Sequence, residues 1–154
     1  MIIPSLTAVQ NYIKGVFEGV SIDTESSDPQ AFFNSVYAAD GAYVWNNKDV
    51  QYPSLAFAIN NVNVDEQYTT FRFTFYGGAR QHEAIEPTTH DNWSNLFTAM
   101  ETGFNAIHDT VGDSENPFVS VSYPRNYTFA PLKMMDVLAV ATVDVEFVIE
   151  NTEC

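Results

Sequence analysis

The 154 residues carry twenty acidic and six basic side chains, for a formal net charge of −14 at pH 7, with 45% hydrophobic, 14% aromatic and 17% charged residues. That length is one domain's worth; the apolar content excludes an intrinsically disordered chain, and the charge excludes a surface built to grip a nucleic-acid backbone. The one cysteine, Cys154, allows neither an intrachain disulfide nor a thiolate zinc centre and suits a reducing compartment.

Met1-Ile2-Ile3-Pro4 lacks the basic and long apolar stretches of a secretory signal, and no run approaches the ~18 to 20 apolar residues that span a bilayer. A soluble protein, made and used inside a cell, is expected. Ser5 offers an N-cap, and Leu6, Val9, Ile13, Val16 and Phe17 recur at three- and four-residue spacing before Gly19, which predicts an amphipathic first helix. Asp23 to Asp28 is polar and aperiodic, a surface loop. Asp28-Pro29 then reads as a cap and first helical residue, with Phe32, Phe33, Val36 and Tyr37 on one face and Gly41 beyond; a strand through Phe33 to Tyr37 is the competing reading.

From Tyr43-Val44-Trp45 the pattern turns to β, is broken at Asn46 to Asp49, and resumes from Tyr52-Pro53 into Ser54 to Ile59. Asn60 to Glu66 forms a connection to the strictly alternating Gln67 to Tyr76, whose Phe71, Phe73 and Phe75 share a face. Gly77-Gly78 ends that strand, and Ala79 to Thr88 is a polar loop. With Thr89 or Asp91 as cap, Trp93, Leu96, Phe97, Met100, Phe104 and Ile107 form one helical stripe; Gly103 inside it implies close packing against a neighbour. Val119, Val121 and Tyr123 alternate as a further strand, and Pro124 and Pro131 flank a segment suited to a sheet edge or a bulged connection. The last strand is the longest: Val137 to Ile149 is apolar on one face, while Thr142, Asp144, Glu146 and Glu150 project from the other, so that it either projects past the domain core or faces a solvent-filled space. The sum is a single α+β domain over residues 1–154: an antiparallel sheet of about four strands with an N-terminal helix and a long central helix packed on one face.

Candidate chemistry is sparse. His82, His90 and His108 match no metal-ligand spacing, and Gly77-Gly78-Ala79-Arg80 lacks the lysine and hydroxyl of a phosphate loop. Asp109, Asp113 and Glu115 are the one set that could converge on Ca²⁺, the basis of an alternative reading as a cation-dependent ligand-binding module. Ser54, Ser94 and Ser120 sit in no nucleophile elbow, and Asp144 with Glu146 has no nearby nucleophile or histidine, so no enzyme, cofactor or resident metal is expected. Tyr43, Trp45 and Tyr52 are either core or an exposed aromatic interface.

The order of these segments resembles the tail-terminator or tail-completion proteins of tailed bacteriophages. The N-terminal helix is followed by Tyr52-Pro53-Ser54-Leu55-Ala56-Phe57, then Phe71-Arg72-Phe73-Thr74-Phe75, the Trp93 to Ile107 helix, Tyr127 to Leu132, and Asp136 to Val140 leading into the terminal strand. It departs from that pattern in Ala79 to Thr88, which lacks a strand-ending Asp-Arg. The resemblance implies a structural virion protein, assembled in the host cytoplasm as a homo-oligomeric ring, a hexamer, at the head–tail junction. Its partners would be the tail-tube protein and the head–tail connector, or another neck-ring position, with DNA as passing cargo and no membrane. Asp144, Glu146, Arg80 and Trp45 are then the candidates for lining the lumen or an interface.

Overall fold

The computed structural model describes residues 2–22, 27–28, 30–83, 86–133 and 137–152. Asp23 to Ser26 of the expected loop, Pro29, Ala84-Ile85 and Cys154 lie outside them. The described residues form a mixed α/β fold of three helices and a six-stranded sheet.

Ser5 stands in extended backbone and its hydroxyl accepts the Ala8 amide, opening α1, Leu6–Glu18; Gly19 closes it as expected. Val9, Ile13 and Phe17 turn inward. The helix expected after Pro29 is instead strand β1, Ser35–Tyr37, the one parallel member of the sheet. Side chains override the helical spacing here: Asn34 Nδ2 donates to the Tyr52 carbonyl and Ser35 Oγ to the Gln51 carbonyl, holding the segment extended beside its neighbour.

Tyr43-Val44-Trp45, expected as β, is a single helical turn, α2, Gly41–Trp45. Val44 and Trp45 are both buried while Tyr43 is 73% exposed. A strand would send neighbours 44 and 45 to opposite faces, whereas a helical turn buries both on one side.

The centre is three long antiparallel strands. β2, Ser54–Val64, runs five residues past the expected Ile59, with a bulge at Asn60. β3, Tyr68–Gln81, pairs with it around a tight hairpin in which Asp65 Oδ1 accepts the Gln67 and Tyr68 amides. Those amides, Tyr68 first, hold the Asp65 carboxyl below its usual range. β6, Val137–Glu150, matches β3 from Tyr68↔Glu150 to Gln81↔Val137 without interruption. Along the outer edge of β6 lie β5, Thr128–Lys133, and the short β4, Ser120–Val121. Pro131 sits in β5, a strand on the rim. The sheet is thus larger than about four strands and not wholly antiparallel.

Gly77-Gly78 does not end β3; the strand passes through it because helices press on both faces. A Cβ on Gly77 would lie 3.0 Å from Met100 Sδ, and one on Gly78 would lie 3.2 Å from Trp45 Nε1. α3, Thr89–Asp109, lies with α1 on the Phe57, Phe73, Phe75, Val145 and Phe147 face. Its start differs from expectation: Thr88 occupies the cap position but its hydroxyl donates to Glu86 Oε1 rather than capping a helix amide, and Thr89 Oγ1 accepts the Glu86 amide. The expected stripe divides. Leu96, Met100, Phe104 and Ile107 enter the core, while Phe97 is 40% exposed and, with Trp93, leans on the Tyr127 to Ala130 segment.

Candidate functional site

Among the described residues, the face of the sheet away from α1 and α3 is covered at one end only. There α2 seals Trp45, Val44 and Val50 against Ala56, Leu138 and Val140, with Trp45 edge-on to Tyr76 at 5.8 Å. Trp45 is 3% exposed, so the structure places this interface candidate inside the subunit. A two-residue alternation cannot reveal that burial, because it depends on the helical turn.

Beyond Tyr76 the same face opens to solvent. Arg72 and Thr74 of β3 stand opposite Glu146 and Asp144 of β6, with Asn61 and Ala58 of β2 alongside. Arg72 reaches diagonally past its register partner: its Nη2 lies 3.1 Å from Asp144 Oδ2. Thr74 Oγ1 donates to Asp144 Oδ1 at 2.7 Å, and Asn60 Nδ2 donates to Thr74 Oγ1 at 3.3 Å. Ser122 fixes the strand at Glu146, accepting its amide at 2.9 Å and donating its own amide to the Glu146 carbonyl at 2.9 Å. Arg72, Ser122 to Pro124, Asn126, Asp144 and Glu146 together border a shallow groove of about 320 Å³. With Glu150 on the same face, three carboxylates face one guanidinium. The structure therefore brings Asp144 and Glu146 together.

Arg80, the remaining candidate, projects from the same face of β3 but eight residues from Arg72, roughly 26 Å along a strand. It stacks over the Tyr52 ring at 5.3 Å and borders a separate depression with Lys48 to Gln51. The α2 layer stands between the two sites, so Arg80 takes no part in the open face.

The Arg72–Asp144 pair is about 40% exposed on both sides. Pairs of that exposure contribute about 0–1 kcal/mol. Asp144→Asn should therefore shift the melting temperature by less than about 4 °C, and thermal denaturation followed by circular dichroism checks this. A larger loss would mean that Asp144 is part of the fold's frame rather than a surface group.

Sequence reasoning missed a second polar cluster on the far side of the sheet. Arg125, whose side chain is 2% exposed, donates from Nε and Nη2 to Glu101 of α3 at 2.8 and 3.0 Å, and from Nη1 to the Ser122 carbonyl at 3.1 Å. Its guanidinium lies over Tyr123 at 4.1 Å, and Tyr127 donates its hydroxyl to Glu101. Burial and the hydrogen bond to Glu101 push the Tyr127 phenol far above its usual value. The available signal was an arginine, one of six basic residues, between Tyr123 and Tyr127.

Among the described residues no group of three or more His, Cys, Asp or Glu side chains is placed to share a metal ion; Asp109, Asp113 and Glu115 do not converge. His90 packs edge-on to Trp93 and His108 to Tyr123. No described helix is long and apolar enough to cross a membrane. No protein-family model matches the chain, and no curated protein matches it at a significant level.

Proposed function

We propose that this chain is a structural virion protein of a tailed bacteriophage, a tail-terminator or tail-completion subunit. It assembles as a ring, a hexamer, at the head–tail junction, ends growth of the tail tube and joins the tube to the connector. The role is mechanical, not enzymatic. The observation that carries this reading is the open face of β3 and β6, where Asp144, Glu146 and Glu150 outnumber Arg72 on a rigid, fully paired pair of strands. Facing a lumen, such a surface repels DNA phosphates, so that passing DNA does not stick. A chain at −14 has the charge for that wall. The order of elements, helix, hairpin, long helix and long terminal strand, adds support through its resemblance to such proteins.

Light scattering coupled to size exclusion, followed by negative-stain imaging, tests the proposal. Rings of six copies are expected. A monomer across the accessible concentration range would overturn the ring, and rings carrying Asp144 and Glu146 on their outer wall would overturn the lumen assignment.

A further inference from the structure

β2 meets β1 only at Ser54, Leu55 and Ala56. From Phe57 to Val64 its outer edge has no strand partner among the described residues, while its inner edge pairs with β3 on both sides of Asn60. An open strand edge presents a row of unpaired amide and carbonyl groups, and soluble proteins ordinarily blunt such edges with charges, proline or strong bulges. Ser54–Val64 holds no charged residue and no proline; its one irregularity is the bulge at Asn60. Val62 and Val64, opposite Phe71 and Thr69, are 44% and 43% exposed. The opposite margin of the sheet is treated differently: β5 and β4 line β6, and Trp93 Nε1 donates to the Ala130 carbonyl of β5.

We infer that the free edge of β2 is where a second copy of this chain adds a strand. The charge distribution selects this occupant. Two copies at −14 repel each other over most approaches, within a screening length of about 8 Å at physiological salt. From Val50 to Val64 the sequence holds no Asp, Glu, Lys or Arg, so the copies meet there with the least repulsion. A basic partner protein is drawn to the carboxylates of the open face, and the neutral edge offers it no counter-charge. Main-chain pairing supplies the hydrogen bonds without side-chain complementarity, and the exposed valines of one copy gain an apolar neighbour in the other. The inference rests on the assembly reading in taking another copy as the occupant; closure into a ring is a separate property.

Val62→Glu places a like charge on the edge at an exposed position, and Val64→Glu repeats the test independently should the first variant melt early. Val111→Glu, at an exposed valine following α3, adds the same charge elsewhere. The expected result is wild-type oligomers, association weakened about tenfold or more in both edge variants, and an unchanged assembly for Val111→Glu, all with the wild-type circular dichroism spectrum. Oligomers that persist in both edge variants overturn the edge pairing and leave the ring reading standing. Wild-type dimers that the edge variants dissociate support the edge pairing and overturn the ring. A wild-type monomer overturns both.

Discussion

Gly103→Ala is expected to destabilise the protein by about 2 kcal/mol, although alanine is the better helix former by about 1 kcal/mol. A Cβ at this position would overlap Cε1 of Phe17 and lie 2.6 Å from its Cδ1 and Cζ. Phe17 cannot step aside. It is fully buried, with Phe104 at 5.2 Å, Phe75 at 5.6 Å and Phe33 at 6.4 Å between ring centroids. Overpacking a closed core costs about 1–3 kcal/mol and occasionally more, so at the upper end it exceeds the propensity gain. For a chain of this size the melting temperature should fall by about 4–8 °C. The same substitution at Gly15 of α1, where a Cβ would meet nothing within 4 Å, should raise stability by about 0.5–1 kcal/mol. Opposite signs for one chemical change separate packing from propensity. A neutral or stabilising Gly103→Ala would mean that α1 and α3 can separate enough to admit a methyl group.

That crossing was partly legible beforehand, because a glycine in an otherwise strong helical stripe implies a close neighbour, though not which one. Elements with a long period were the readable ones. Leu6 to Phe17, Leu96 to Ile107, the Phe71-Phe73-Phe75 alternation and the two-faced Val137 to Ile149 each repeat often enough to fix their type, and the polar side of the last placed Asp144 and Glu146 on one face. Short elements were not readable. The three residues of β1 are held extended by Asn34 and Ser35 bonding to residues eighteen and sixteen positions further on, and the turn of α2 is set by the need to bury Val44 and Trp45 together. Gly77-Gly78 misled for the same reason: glycine marks a turn or a strand pressed from both sides, and only the helices on each face decide between them. Arg125 was hidden because its partner Glu101 lies twenty-four residues away on a different element.

Arg125→Ala should cost about 2–4 kcal/mol, the range for leaving a partly buried carboxylate without its charge partner. The guanidinium is closed off almost completely, while the Glu101 side chain is 24% exposed, which keeps the loss below that of a fully interior pair. Arg125→Lys retains the charge but loses the two-pronged bond to Glu101 and the stacking over Tyr123, and should fall between alanine and wild type. The pH dependence gives the pair its signature. Burial alone raises the Glu101 pKa, but the hydrogen bonds from Arg125 and Tyr127 and the Arg125 charge outweigh it, leaving the carboxyl below its ordinary value of 4.5. A carboxyl depressed in the folded state contributes stability that is fully present above its unfolded value and is lost as pH falls through the folded one. Wild-type protein should therefore weaken on acidification below about pH 4.5, and Glu101→Gln should flatten that part of the profile. Some acid sensitivity will persist in Glu101→Gln, because hydrogen bonds also hold Asp65 and Glu86 below their usual range. In Arg125→Ala the carboxyl keeps the burial and loses the cation, which raises its folded-state pKa toward and past the unfolded value, so the Glu101 share of the acid loss should shrink or reverse. Melting curves at intervals from pH 3 to pH 7 measure all three profiles, and an Arg125→Ala curve parallel to wild type would show that the pair is not coupled to folding.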